Sequence, residues 1–136
     1  MLIGGAGRDA LEGRAGRDVL RGGAARGTLE GGGGADRALG GGGADLLDGG
    51  RGRDLLAGGR GRDRFLFERG DGGDRLRDFE DGRDRIVFAS GAERFAELTI
   101  RQAGEDVRIG YGGRGDRITV EDADAADFGA RDFVFA

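Results

Sequence analysis

The stretch GGGGADLLDGGRGRDLLAGGRGRDRF occupies Gly40 to Phe65, and within it Asp45, Asp54 and Asp63 recur every nine residues. The beat extends backwards through Asp36 to Asp18 and Asp9. Seven nonapeptides follow in register, beginning at Gly4, Gly13, Gly22, Gly31, Gly40, Gly49 and Gly58. Position six is aspartate except at Gly27. Position eight is Leu11, Leu20, Leu29, Ala38, Leu47, Leu56 and Phe65. Position two is glycine except at Arg14, and position four is glycine except at Ala25. A short fixed period marks an architecture in which each unit is one structural module stacked on its neighbours.

Each unit divides into a turn and a strand. Glycines at positions one, two and four permit positive φ and a tight bend that exposes carbonyl oxygens, while three residues such as Leu55-Leu56-Ala57 suffice for a short strand. Turn, strand, turn, strand closes a flattened coil in which repeats n and n+2 stack. Leu11, Leu29, Leu47 and Phe65 then form one inward ladder, and Leu20, Ala38 and Leu56 form the other. One large buried side chain per repeat does not offset the backbone entropy of ordering nine residues. The aspartates supply what is missing: stacked turns bring paired carboxylates and several carbonyl oxygens around one point. Calcium takes six to eight oxygens in flexible geometry, whereas magnesium keeps its water and fits such a cage poorly. Folding is then coupled to metal binding.

Composition narrows the chemistry. The chain has 136 residues, of which 33 are glycine and 37% are hydrophobic. It contains no proline, cysteine, histidine or tryptophan, which excludes disulfides, thiolate or imidazole metal sites and catalysis by histidine or cysteine. All 22 basic residues are arginine against 26 acidic ones. The repeats are slightly basic, and the remainder is clearly acidic. Met1-Leu2-Ile3 runs straight into Gly4-Gly5, so no apolar stretch reads as an N-terminal secretory signal or a membrane span.

GGGGADLLD, GGRGRDLLA and GGRGRDRFL resemble the Gly-Gly-x-Gly-x-Asp-x-U-x nonapeptide of the RTX (repeat-in-toxin) family, where U is a large apolar residue. The resemblance covers residues 4–66. It implies an all-β fold: a parallel β-roll of nonapeptide repeats holding several Ca2+ ions between turns, continuing into a small antiparallel C-terminal β-sheet with one short helix. The metal carboxylates it implies are Asp9, Asp18, Asp36, Asp45, Asp54 and Asp63, assisted by the glycine turns of Gly32, Gly34, Gly41, Gly43, Gly50, Gly52, Gly59 and Gly61. Complete carboxylate pairs are Asp18 with Asp36, Asp36 with Asp54, and Asp45 with Asp63. Pairs that need position 27 find glycine there, so fewer or weaker ions are expected near residues 4–30. Arginines beside the aspartates (Arg8, Arg17, Arg53, Arg62, Arg51 and Arg60) depart from the family pattern. They oppose calcium and set the expected midpoint at roughly 0.1–1 mM, the range of extracellular modules, with some structure retained without metal.

From Phe67 the period breaks. FERGDGGDRLRDFEDGRDRIVF resembles the segment that follows the last repeat in RTX proteins, through Asp74, Leu76, Asp78, Phe79, Gly82, Asp84 and Ile86, and it implies that Asp74 and Asp78 cap the final calcium site. The chain therefore reads as a calcium-binding roll over 1–66 and a β capping region over 67–136. Ser90-x-x-Glu93 reads as a capping box opening a short helix to about Leu98. ELTIRQ and VRIGY alternate around Ala103–Asp106 as a hairpin, and Gly112-Gly113-Arg114-Gly115 turns into a third strand at DRITV. Leu98, Ile100, Val107, Ile109, Tyr111, Ile118 and Val120 line that sheet.

The ending Asp132-Phe133-Val134-Phe135-Ala136 is similar to the uncleaved export signal of RTX proteins that leave bacteria by type I secretion; Phe133 and Phe135 also suit the closure of a sheet. The resemblance implies a secreted, extracellular calcium-binding module whose partners are calcium ions and the type I secretion apparatus. The alternative is a detached tail of an RTX enzyme, such as a serralysin-like metalloprotease, a lipase or an epimerase. No catalytic residues are expected in either case: a zinc protease needs histidines, and no Gly-x-Ser-x-Gly elbow surrounds Ser90. Nucleic-acid binding through the Arg-Gly clusters is disfavoured, because aspartates interleave the arginines and Tyr111 is the only tyrosine.

Overall fold

In the computed structural model, which describes residues 1–113 and 115–136, the strands wind into a flattened parallel solenoid of about five turns. Its two walls are an eight-stranded and a six-stranded sheet among the described residues. The larger sheet runs through Leu2–Gly5, Val19–Gly23, Arg37–Gly42, Leu55–Arg60 and Gly73–Arg77, and continues with Arg117–Val120, Asp106–Gly110 and Thr99–Ala103. The smaller runs through Asp9–Glu12, Gly27–Glu30, Leu46–Asp48, Arg64–Phe67, Arg85–Phe88 and Phe133–Phe135. Alternate repeats go to opposite walls, as the strict nonapeptide beat requires.

Both apolar ladders form, and both are longer than the repeats. In the smaller sheet Leu11, Leu29, Leu47 and Phe65 are followed in register by Ile86 and then Phe133. In the larger, Leu20, Ala38 and Leu56 are preceded by Leu2 and followed by Leu76 and Val120. Leu20, Leu29, Leu47, Leu56, Phe65, Leu76 and Ile86 are fully buried. The core is thus a double file of side chains, one per strand, with each residue packed against its neighbours along the file.

The C-terminal strands extend the two walls. Thr99–Ala103 and Asp106–Gly110 pair antiparallel as the expected hairpin, with Gly104 at φ 68 in its turn. Arg117–Val120 pairs antiparallel with Asp106–Gly110 and parallel with Gly73–Arg77, which welds the antiparallel sheet onto the roll. The turn expected at Gly112–Gly115 includes Arg114, which lies outside the described residues. Phe133–Phe135 pairs parallel with Arg85–Phe88, and Phe88 meets Tyr111, Phe135 and Phe133 at ring-centre distances of 4.9, 5.7 and 6.1 Å.

The helix expected from Ser90 is a single 3-10 turn at Phe95–Glu97. Gly91 at φ +99 breaks the helical path one residue after Ser90. The Ser90 hydroxyl instead accepts the Arg69 N–H at 2.9 Å, and the Glu93 N–H donates to Glu97 at 2.8 Å. Among the described residues no helix is long and apolar enough to cross a membrane.

Candidate metal centre

Three glycines recur in each turn for two different reasons. At positions two and four they hold positive φ: Gly32 at 99°, Gly34 at 139°, Gly41 at 103°, Gly43 at 106°, Gly50 at 80°, Gly52 at 148°, Gly59 at 92° and Gly61 at 130°. Position one needs space instead. A methyl placed on Gly31 would lie 2.6 Å from both Asp36 Oδ2 and the Gly49 carbonyl oxygen. On Gly13 it would meet the Gly31 carbonyl at 2.6 Å and Asp18 Oδ2 at 2.9 Å. Gly4 repeats the arrangement with Asp9 Oδ2 and the Gly22 carbonyl, both at 2.5 Å. In these turns the Oδ2 of the repeat's own aspartate and a carbonyl oxygen from two repeats ahead both face the bare side of the position-one glycine.

The position-six aspartates stack in two columns. In one, Asp36 Oδ1 accepts the Asp18 N–H at 2.7 Å, Asp54 Oδ1 accepts that of Asp36 at 2.7 Å, and Asp74 Oδ1 accepts that of Asp54 at 2.9 Å. In the other, Asp45 Oδ1 accepts the Gly27 N–H at 2.6 Å, Asp63 Oδ1 accepts that of Asp45 at 2.9 Å, and Asp84 Oδ1 accepts that of Asp63 at 3.0 Å. Asp9 lies beyond Gly27 in the same column, facing a residue without a carboxylate.

Asp36, Asp45, Asp54, Asp63, Asp74 and Asp84 thus commit Oδ1 to the backbone of the neighbouring coil. The second oxygen of Asp9, Asp18, Asp36, Asp45, Asp54 and Asp63 is buried and has no hydrogen-bond partner, one such atom in every repeat but that of Gly27. A buried carboxylate oxygen without a partner is costly, and its effect on titration is plain. Burial first, with neighbouring aspartates adding to it, pushes Asp54 and Asp63 up to about 6 and Asp74 up to about 8. Asp45 and Asp84 are raised for the same first reason. The arginines at repeat positions three and five stand exposed around the turns and donate no hydrogen bond to these orphan oxygens.

Among the described residues no three acidic side chains converge on one point. A cation here would be held by paired carboxylates plus carbonyl oxygens, a hard all-oxygen set suited to Ca2+. Some turn carbonyls already bridge coils: Gly32 accepts the Arg51 N–H at 2.8 Å and Gly34 that of Arg53 at 3.4 Å. Gly52 donates to the Asp71 carbonyl at 2.7 Å, and Gly43 to that of Arg60 at 2.9 Å. Gly41 and Gly59 stack in register, and the Gly50 N–H is held by Asp48 at 3.0 Å. A carbonyl oxygen that accepts one hydrogen bond keeps a second lone pair, and the orphan carboxylate oxygens sit beside these turns, so the residues fit the ion.

Asp74 and Asp78, the two caps expected after the repeats, do different things. Asp74 is buried and continues a column. Asp78 is exposed, at φ 64, and its two oxygens accept the N–H groups of Gly58 and Gly59, each at 3.1 Å, closing the last repeat turn. Asp84, absent from the expected ligand set, ends the other column. The signal for it was present: Asp84-x-Ile86 has the Asp-x-apolar spacing of the repeats, as does Asp74-x-Leu76.

The fold and this donor set define a calcium-binding β-roll. Residues 1–29 and 30–65 match the RTX calcium-binding nonapeptide repeat (4 copies). The AlgE6R3 subunit of the Azotobacter vinelandii mannuronan C5-epimerase is similar at 32% identity and a TM-score of 0.70, over 89% of this chain and 79% of that one. The AlgE6R2 subunit of the same epimerase is 28% identical, with a TM-score of 0.58, over 99% and 92%. The extracellular lipase LipA of Serratia marcescens shares the fold at 18% identity and a TM-score of 0.55, over 99% of this chain and 38% of its own. No curated protein sequence matches the chain. The chain belongs to the RTX calcium-binding nonapeptide-repeat family.

Proposed function

We propose that this chain is a secreted calcium-binding module that keeps only residual, marginally stable structure at low calcium and folds fully when extracellular Ca2+ enters the turns of its roll. The observation that carries the reading is the row of buried, partnerless Oδ2 atoms, one from each position-six aspartate. Without a cation these oxygens oppose folding; with one they become its ligands. Asp9, Asp18, Asp36, Asp45, Asp54 and Asp63 supply the carboxylates, the glycine turns supply carbonyls, and Asp74 and Asp84 complete the last sites. Asp78 shapes the final turn. Residues 1–66 supply most of the metal ligands, and residues 67–136 add Asp74 and Asp84, close the roll and carry an export signal at Asp132–Ala136 for a type I apparatus.

The exposed arginines soften repulsion between carboxylates in the metal-free roll and weaken calcium, which places the midpoint in the range of about 0.1–1 mM. The test is far-UV circular dichroism during a calcium titration, with magnesium as control. A cooperative coil-to-β transition with calcium alone, in that concentration range, is expected. A chain that is fully β in excess chelator, or still coil at several millimolar calcium, would overturn the reading.

A second reading is supported by the comparisons: the similar AlgE6 subunits are parts of an epimerase, and the chain aligns with only 38% of the lipase. In that reading the module is the accessory part of an RTX enzyme, with calcium chemistry unchanged and the catalytic residues carried elsewhere. Fusion of the chain behind a passenger enzyme separates the two: an accessory role makes passenger refolding calcium-dependent, and a free-standing role leaves it unchanged.

A further inference from the structure

The outer face of the larger wall is basic, and its arginines follow a pattern. Residues two apart along a strand share a face, and neighbouring strands lie roughly 4.8 Å apart. One row across the wall reads Val19, Arg37, Leu55, Arg75 and Thr119, each in register with the next. Two residues earlier on the same strands a second row reads Arg17, Ala35, Arg53, Gly73 and Arg117. The first three of these hold the same place in alternate repeats, the Gly52–Gly72 bridge sets Arg53 beside Gly73, and Gly73 pairs with Arg117. Arginine therefore steps from one row to the other, one per strand.

The small residues between them leave hollows. Ala35 lies between Arg17 and Arg53, with Arg37 two residues further along its own strand. Gly73 lies between Arg53 and Arg117, with Arg75 in the same relation. Each hollow has three arginines around it, and the two stand two strands apart, roughly 10 Å. Together they make one open groove of about 750 Å³ bordered by all five arginines, each of them exposed.

Among the described residues no carboxylate forms an ion pair with Arg17, Arg37, Arg53 or Arg117. Arg75 is held by Glu121 at 2.9 Å and by Asp106 at 3.6 Å, which leaves part of its five-donor fork unused. Asp36, Asp54 and Asp74 also border the groove but are buried, so a cation or proton on them cancels the nearest opposing charge.

The forks select the ligand. A carboxylate has two oxygens and is filled by one bidentate guanidinium. Three forks around one point suit a group with three terminal oxygens, and two such hollows along one groove suit a linear polymer. Phosphate monoesters have that shape but are calcium ligands themselves and would draw metal from the roll; sulfate esters share the shape without that competition. No aromatic side chain lines the groove, so it offers no platform for nucleic-acid bases. We propose that the hollows at Ala35 and Gly73 bind neighbouring sulfate esters of a linear sulfated polysaccharide. The affinity rests on the calcium reading, because the acids beneath the groove must be neutralised; the position of the hollows does not.

The experiment measures binding of fluorescent dextran sulfate to the full chain by anisotropy in millimolar calcium, with circular dichroism confirming the β state of each protein. Arg37→Gln/Arg117→Gln removes one guanidinium from each hollow and spares the arginines beside the aspartates. It is expected to weaken binding about tenfold or more. Arg26→Gln/Arg64→Gln removes two exposed charges from the smaller wall and is expected to leave binding nearly unchanged. Equal loss in the two variants, no binding by the wild type, or equally tight binding of a polyuronate or of phosphatidylglycerol vesicles would overturn the site. If the wild type is already β in chelator, the calcium reading fails and the same pair of variants, compared in chelator, decides the hollows. A wild type that stays coil with and without calcium would overturn both.

Discussion

Asp74 Oδ1 accepts the backbone N–H of Asp54 at 2.9 Å although the two residues are 20 apart rather than 18, so the carboxylate column outlasts the repeat that built it. Its environment is the most hostile to charge in either column, with its carboxyl pushed up to about 8 by burial first and then by Asp54 and Asp71. Asp74→Asn keeps an acceptor for Asp54 and removes the charge. The variant is expected to melt higher than wild type in chelator and lower in millimolar calcium, with calcium binding weakened about tenfold or more, some 1.4 kcal/mol. Parallel thermal melts in the two buffers check the change of sign.

Protons and calcium compete for the same oxygens. Burial holds the carboxyls of Asp54 and Asp63 at about 6, and that of Asp74 at about 8, above the ordinary aspartate value of 3.8. A raised carboxyl means the folded chain binds protons more tightly than the unfolded one. The stability this confers on the metal-free fold is therefore complete below about pH 4 and is lost as the pH rises through 6 to 8. Chelator-treated protein is expected to gain β signal on acidification from pH 8 to 4.5, and the calcium midpoint is expected to be higher at pH 5 than at pH 7.5. Circular dichroism at fixed pH values reads both effects.

Position 27 is a site waiting for its carboxylate. Gly27 lies between Asp9 and Asp45 in the column, and its N–H already donates to Asp45 Oδ1 at 2.6 Å. Gly27→Asp is expected to add calcium near residues 4–30 and to raise the melting temperature in calcium, while lowering it in chelator because another buried charge joins the row. The new Cβ meets Leu29 Cδ1 at 3.0 Å, a contact that the flexible end of the leucine absorbs. An unchanged ion count would show that the carboxylate is not what residues 4–30 lack.

Arg14 occupies a position-two slot at φ 78, where the other repeats place glycine. A left-handed non-glycine residue costs roughly 1–2 kcal/mol, so Arg14→Gly is expected to stabilise the chain by about 1 kcal/mol with or without calcium. Gly50→Ala is the converse: at φ 80, with its new methyl driven into the Gly32 carbonyl, it is expected to cost at least 2 kcal/mol on the same grounds. Gly33→Ala, where φ is ordinary and nothing lies near the new methyl, serves as control. Denaturant midpoints of the three variants order them.

The roll was legible because one period fixes several facts at once. Asp at position six and Leu at position eight, repeated every nine residues, determine which strands share a wall and which side chains share a ladder, and both ladders lie where that spacing puts them. Past Phe67 the period stretches, to 20 between Asp54 and Asp74 and to 21 between Asp63 and Asp84. The longer turns hid that Asp84 ends a column. Local alternation gave the hairpin of Thr99–Ala103 and Asp106–Gly110, but the parallel docking of Arg117–Val120 on Gly73–Arg77 rests on contacts more than forty residues apart, which local pattern does not encode. Ser90-x-x-Glu93 misled because Gly91 sits inside the box. The division of labour within each carboxylate, one oxygen to the backbone and one left over, is a matter of side-chain direction that spacing alone does not reveal.

Because each strand pairs with the one two repeats away, the molecule can change length only in even steps. Loss of a single nonapeptide would transfer every later strand to the opposite wall, bringing Gly73–Arg77 to the face that belongs to Arg85–Phe88 and misaligning the aromatic closure behind it. Loss or gain of 18 residues would leave both walls in phase, with the cap none the wiser. Natural variation in repeat number within such a lineage should therefore be counted in coils, and a cut-and-paste engineer should count the same way.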